Sequence, residues 1–328
     1  MDRLSKLKNQ NNTPVSSDDN ILKDFINEEK YPFVVQASDS NINLKDWLKE
    51  NSEYFDKHLL EYGAILCRGF NIDTAEKFQD LVSVFEKPAL EYKFRSSPRY
   101  SIMNNVYVST TYPNSYSINM HSEHSYAPSP PDKIIFCCIQ PASLKGETPI
   151  ADNRRVLGNI SEEIKNKFME KGILYKRRMN GLLGLPWQEV FQTTDKNEVE
   201  RECEKNGISY NWLDEDDLVV TWKKKAIIEH PVSKELIWFN HGMFFNRYSY
   251  DEILLSAIDS DDELPNNTYF GDGQEFTKEE YTELYEAYKK GTVYFPWEKG
   301  DVLFLDNYLS SHGRNSYEGE RKIIVSMC

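Results

Sequence analysis

Only six histidines occur in the 328-residue chain, and two of them flank a glutamate in the stretch "NMHSEHSY" at 119–126. On an extended strand, residues two apart project from one face. His121 and Glu123 would then chelate one ion together, and His124 would point the other way. Were the segment helical, His121 and His124 would share a face instead. The flanks "NSYSINM" and "SYAPSPPD" are rich in Ser, Asn and Pro, which favours a strand end running into a loop. The order H-S-E-H also differs from the H-E-x-x-H of zinc proteases. An H-x-E pair needs a third ligand, and His312 in "GDVLFLDNYLSSHGR" is the candidate. Two imidazoles and one carboxylate cover one face of an octahedron and leave the opposite face open, as in non-haem Fe(II) oxygenases. Without clustered thiolates or further carboxylates, iron is favoured over a closed zinc site or an all-oxygen calcium or magnesium site. Of the other histidines, His58 lies in a helical pattern as a surface or boundary residue, and His230 precedes Pro231 in a hydrogen-bonded turn.

Ligands so far apart in the chain need a fold that brings distant strands together. From about residue 132 onward, short β-like runs alternate with turns: "KIIFCCI", "TPIAD", "DLVVTW", "AIIEHP", "ELIWF", "TVYFPW", "DVLFLD" and "RKIIVSM". This predicts a mainly β fold with helical inserts (α+β), an antiparallel sandwich or jelly roll rather than a parallel sheet. Helical inserts are expected at "SEEIKNKFMEKG", "KNEVERECEKNG" and "TKEEYTELYEAYKKG", the last opened by a capping box from Thr277 to Glu280. Upstream, "NLKDWLKENSEYFDKHLLEYG" has helical periodicity and stops at Gly63, "AILCRGF" reads as a buried strand, and "TAEKFQDLVSVFE" as an amphipathic helix. Residues 1–18 are polar and expected to fray, which leaves 19–328 as one domain.

Charge and cysteine usage narrow the partners. A net charge of −14 and a pI near 5.0 oppose nucleic-acid or anionic-membrane binding. The five cysteines form no C-x-x-C pair, so neither a disulfide framework nor a thiolate zinc site is indicated. Cys137 and Cys138, inside an apolar run, read as small buried hydrophobes. With no long apolar segment, these features point to a reduced, cytoplasmic protein.

The combination of His121-x-Glu123, "GETPIAD", and "GDVLFLDNYLSSHGR" followed by a further arginine resembles the 2-oxoglutarate-dependent taurine dioxygenase (TauD/TfdA) superfamily. The likeness is greatest to its SyrP-like branch, near clavaminate synthase. "VYVSTTYP", "GLPWQEVFQTTDKNEVE", "HPVSKELIWFN" and "LPNNTYFGDG" also look like segments of that branch, so the resemblance spans about residue 90 to the C-terminus. It implies a double-stranded β-helix (jelly roll) that binds Fe(II) through His121, Glu123 and His312. It also implies 2-oxoglutarate as co-substrate, O₂ as oxidant, and succinate and CO₂ as products. Halogenating relatives replace the carboxylate with a small residue, so Glu123 implies hydroxylation. The far carboxylate of 2-oxoglutarate needs an arginine fork, and Arg321 is the best match to the family's arginine. Arg314 is the runner-up and is favoured as structural; Thr148 in "GETPIAD" matches the family threonine at the same co-substrate.

For the substrate, branch membership implies an amino acid or amino-acid derivative, free or tethered to a peptidyl carrier protein, in natural-product biosynthesis. Asn105, Tyr107 and Ser109 alternate just upstream of the metal pair and are candidates to line the cavity. His241 and Phe244 in "FNHGMFF" are weaker ones. Two other readings use the same residues. A regulatory or carrier-binding protein would have no need of three intact ligands, and a zinc hydrolase would leave the arginine after His312 without a purpose.

Overall fold

The computed structural model describes residues 20–85, 94–96 and 100–328. The expected fraying of residues 1–18 concerns residues outside this set. Two β-sheets face each other across an apolar layer. The larger has eight strands in the order Ile21–Phe25, Phe33–Ala37, Ala64–Arg68, Val302–Asp306, Lys133–Gln140, Lys322–Met327, Val106–Val108 and Ser101–Met103. The smaller runs Thr292–Val293, Ile150–Asp152, Ser310–Arg314 and Ile118–His121. Phe136, Cys138, Ile150, Leu303 and Val325 pack between the sheets, while Ile135, Cys137 and Phe304, of opposite parity, lie under the N-terminal helices beside Phe55, Leu59 and Phe78. Burial on both faces explains why "KIIFCCI" reads as a continuous apolar run rather than an alternating one. Two facing sheets built from strands distant in sequence are the jelly roll expected above. Cys67, Cys137, Cys138 and Cys203 are buried free thiols.

The N-terminal region departs from expectation in two ways. Its strands extend the larger sheet, and Phe33–Ala37 pairs in parallel with Ala64–Arg68 in an otherwise antiparallel sheet. The connection between them is two helices, Leu44–Glu50 and Ser52–Tyr62, where periodicity predicts one. They break at Asn51, whose backbone N–H and side-chain Nδ2 both donate to the Trp47 carbonyl, a local bond that competes with helix continuation. The second helix stops at Gly63, in the left-handed region at φ 76°.

Between Asp152 and Thr292 the chain leaves the roll and builds an insert. Its sheet runs Ser209–Trp212, Leu218–Lys224, Ile173–Met179 and Asn266–Phe270. Helices form at Glu162–Lys171, Lys196–Lys205 and Lys278–Gly291, the last with both bonds of its capping box in place. The run "TVYFPW" supplies only Thr292–Val293 as strand, since Pro296 cannot donate to a ladder. Among the described residues no helix is long and apolar enough to cross a membrane.

Candidate active site

His312 lies in the middle of its own strand, Ser310–Arg314, rather than in a loop beyond a strand. Its register partner on one side is His121 and on the other Ile150. Adjacent register sets the two imidazoles side by side, with ring centroids 4.5 Å apart. The ladder slips between His312 and Arg314. At Gly313 a Cβ would stand 2.6 Å from the Ile118 carbonyl oxygen, so the close passage of the two backbones requires glycine.

Glu123 reaches the imidazoles by another route than the one expected. The strand ends at His121, and Glu123 sits in a turn in which His124 adopts φ 52°. The turn is held from a distant part of the chain. Asn307 Oδ1 accepts the Glu123 N–H at 2.8 Å, and its Nδ2 donates to the Glu123 carbonyl at 2.9 Å. Glu123 Oε2 is then 3.9 Å from Nε2 of both His121 and His312, and one ligand atom from each residue lies within 4.8 Å of the others. These separations exceed hydrogen-bond range and suit donors arranged about a common ion. His121 Nδ1 bonds the Asn119 carbonyl at 2.8 Å, which fixes the tautomer that directs the Nε2 lone pair at the cluster. Two imidazoles and one carboxylate, with no thiolate, are the donor set Fe(II) takes.

His124 does not turn away, as strand parity implied. It is buried, and its Nε2 lies 3.5 Å from Glu123 Oε1. The structure brings together the same two side chains that the parity argument paired, but the geometry that unites them is a turn. His230 and His58 keep their expected roles: His230 Nδ1 accepts the Val232 and Ser233 N–H groups, and His58 bonds the Tyr54 carbonyl on its helix.

Beside the cluster, Arg321 Nε donates to the Gly146 carbonyl at 2.8 Å and Nη2 to Thr148 Oγ1 at 3.3 Å. Burial, and secondarily Arg314, push the Arg321 guanidinium down to about 10, against the opposing pull of Tyr317, Cys138 and Glu147. Among the described residues no carboxylate forms an ion pair with it. Trp297 Nε1 also donates to Thr148 Oγ1, at 3.1 Å. A hydroxyl that accepts twice has its proton left to donate, so Thr148 and Arg321 together present donors suited to an anion. Trp297 escaped the sequence reading because nothing in "FPW" marks an indole N–H as a partner of Thr148. Arg314 is bound elsewhere: Nη1 donates to the Tyr112 carbonyl at 2.7 Å, and Nη2 to those of Pro113 and Tyr116 at 2.6 and 2.5 Å. It anchors the 112–116 loop.

A cavity of about 390 Å³ opens over these groups, lined by His121, Glu123, His312, Thr148, Arg314 and Arg321 among others. Three of the five substrate candidates, Ser109, His241 and Phe244, line it as well. Asn105 and Tyr107 do not. Asn105 takes φ 58° in the turn before Val106–Val108, and Tyr107 packs against the apolar layer between the sheets. Alternation places residues on a face only while the strand lasts, and this strand is three residues long. The Phe244 ring lies 4.7 Å from His121. His241 is buried, with Nδ1 2.7 Å from Ser125 Oγ, and burial, then His121, hold its pKa well below the usual imidazole range.

Comparison with known proteins agrees with this chemistry. The family model described as taurine catabolism dioxygenase TauD, TfdA family matches residues 28–328. The dapdiamide synthesis protein DdaC of Enterobacter agglomerans is 39% identical over 298 residues, covering 90% of each chain. A clavaminate synthase-like protein of Arabidopsis thaliana is 27% identical over 291 residues, 86% of each. Among solved structures, AAD-2 in complex with Mn(II) and N-oxalylglycine superposes with a TM-score of 0.55 at 15% identity, over 94% of this chain and 96% of that one. PvcB of Pseudomonas aeruginosa does so with a TM-score of 0.55 at 11% identity, over 97% and 95%. The chain therefore belongs to the TauD/TfdA family and is an Fe(II)- and 2-oxoglutarate-dependent dioxygenase.

Proposed function

We propose that the protein hydroxylates an unactivated C–H bond of an amino-acid derivative in a natural-product pathway, with residues 19–328 acting as one cytoplasmic oxygenase domain. His121, Glu123 and His312 hold Fe(II); Arg321 and Thr148 hold the far carboxylate of 2-oxoglutarate. The observation that carries the reading is the convergence of the three donors beside a part-buried arginine with which, among the described residues, no carboxylate forms an ion pair. A zinc hydrolase would give that arginine no role. Iron, with 2-oxoglutarate and O₂, supplies the oxidising power that breaks the C–H bond as succinate and CO₂ are released. The chain's own work is positional. Asn119 and Asn307 fix the ligands, and Phe244 keeps the space beside His121 apolar.

The cavity wall supports a derivatised substrate over a free amino acid. Beyond the metal cluster and the two arginines, the described residues of the wall present neutral groups, including Ser109, Thr110, Asn119, Ser249 and Asn266. Of the arginines that line it among the described residues, Arg314 is engaged with loop carbonyls and Arg321 is assigned to 2-oxoglutarate. Such a wall matches amide or thioester groups, as in a carrier-tethered aminoacyl chain. A second groove, lined by Tyr248, Tyr281 and Tyr285, shares Asn119 and Ser249 with the cavity. DdaC, whose name places it in dapdiamide synthesis, supports a biosynthetic setting.

The test is anaerobic addition of Fe(II) and 2-oxoglutarate, which should produce a weak visible charge-transfer band. Metal-loaded protein without that band would refute the assignment of these residues. Succinate release over amino acids offered free, as amides and as carrier thioesters should favour the latter two, and preference for the free forms would refute the derivatised-substrate reading.

A further inference from the structure

The 122–127 turn carries Glu123 outside any strand ladder, so every carbonyl in it must find a partner elsewhere. Two are used within the turn: Ser122 O accepts from the Ser125 N–H at 3.2 Å and His124 O from the Ala127 N–H at 2.8 Å. Asn307 takes Glu123 O. The remaining three, consecutive in sequence, are all met by one strand of the insert. Lys224 Nζ donates to Ser125 O at 2.9 Å and to Ala127 O at 2.7 Å, and Trp222 Nε1 donates to Tyr126 O at 2.9 Å. Residues 222 and 224 share a strand face, and Trp222 is itself held by stacking on Tyr175, with centroids 5.2 Å apart and planes at 19°.

An ammonium ion facing only carbonyls is costly. Among the described residues no carboxylate pairs with Lys224, and burial alone pushes its pKa down to about 8. A fold in need of three carbonyl partners could take them from neutral donors at lower cost. A cation, by contrast, gathers several carbonyls at a single point and resists their repulsion as they converge.

We propose that Lys224, with Trp222, is a positioning residue for the metal centre: it holds the turn so that the Glu123 carboxylate meets the two imidazoles at the spacing an ion requires. This gives the insert sheet a task beyond shaping the substrate cavity, since it braces the one metal donor that the jelly roll does not carry on a strand. The proposal rests on reading Glu123 as a ligand.

Anaerobic titration of the full chain with Co(II), in the presence of 2-oxoglutarate and followed by its visible ligand-field bands, tests this without any substrate. Lys224→Met keeps the aliphatic stem and removes the ammonium, and it should weaken Co(II) binding by about 10- to 100-fold, the loss typical of partners that orient a ligand. Lys224→Arg should recover most of the affinity, and Lys223→Met, on the exposed opposite face, should match the wild type. A folded Lys224→Met protein with wild-type Co(II) affinity and band shape overturns the proposal. If that variant does not fold, Trp222→Phe decides: it loses the bond to Tyr126 O together with part of the ring stacked on Tyr175, and should bind Co(II) several-fold more weakly, whereas unchanged affinity overturns the proposal. His121→Ala serves as the reference. Wild-type Co(II) binding by that variant would mean that the metal-ligand reading has failed, a result separate from failure of the Lys224 assignment.

Discussion

The jelly roll and the insert contribute to one cavity by different physical means. In the roll, His121 and His312 face each other across a strand register, and Thr148 and Arg321 are bonded side chain to side chain. The histidines are set by strand register, which decides the face each side chain takes, while Thr148 and Arg321 stand just outside the strands Ile150–Asp152 and Lys322–Met327. The insert supplies His241 and Phe244 from a four-residue helix, Gly242–Phe245, and its N-cap, and it grips the Glu123 turn through hydrogen bonds rather than through a ladder. The difference teaches where each kind of specificity is kept. The two histidine ligands rest on strand register, whereas the insert braces the Glu123 turn and lines the cavity from a short helix that can vary without disturbing that register.

The sharpest way to break this comparison is at the ligands. His312→Ala or His121→Ala should abolish succinate formation and metal binding, measured by metal content and 2-oxoglutarate turnover. His124→Ala should keep substantial iron binding, because its contact is with Glu123 Oε1 and not with the face toward the imidazoles. Equal loss in all three would mean that the turn, and not the register, governs binding.

Next in size is the co-substrate site. Losing a charge-assisted contact of about 1.5–3 kcal/mol in Arg321→Met should raise the KM for 2-oxoglutarate by roughly 10- to 100-fold. Arg314→Met, by contrast, should lower the melting temperature by freeing the 112–116 loop while changing that KM far less. A reversal of the two phenotypes would exchange their assignments. Thr148→Val should cost about 1 kcal/mol, near fivefold in the same KM, and it leaves the Trp297 and Arg321 donors short of an acceptor.

The smallest effect expected on the cofactors comes from the insert's cavity-facing helix, Gly242–Phe245. Phe244→Ala should leave Fe(II) and 2-oxoglutarate affinities within about twofold, the usual range for a residue away from their contacts, while uncoupling 2-oxoglutarate decarboxylation from product formation. A large loss of Fe(II) affinity would show that the insert ring also supports His121, and the division between the two regions would fail.

Much of the fold could be read in advance because its signals are local. Burial on both faces wrote "KIIFCCI" as a strand, Thr277 and Glu280 announced a helix start, and Gly63 a helix end. What failed was local inference carried past its range. Alternation put Asn105 and Tyr107 in the cavity, but the strand is too short to sustain it. Parity put Glu123 on a strand that ends two residues earlier.

By itself, the sequence determined which side chains could bind iron and an anionic co-substrate, since donor type is a property of the residue. It also determined the alternating and helical patterns from which two layers could be inferred. Only the tertiary structure decided how Glu123 meets the imidazoles, that His124 remains beside it, and that Arg314 is spent on a loop while Arg321 faces the cavity. Those outcomes depend on bonds between residues remote in the chain, Asn307 to Glu123 and Lys224 to Ser125. No local pattern encodes such pairs, because the energy that selects them appears only when the chain has closed on itself.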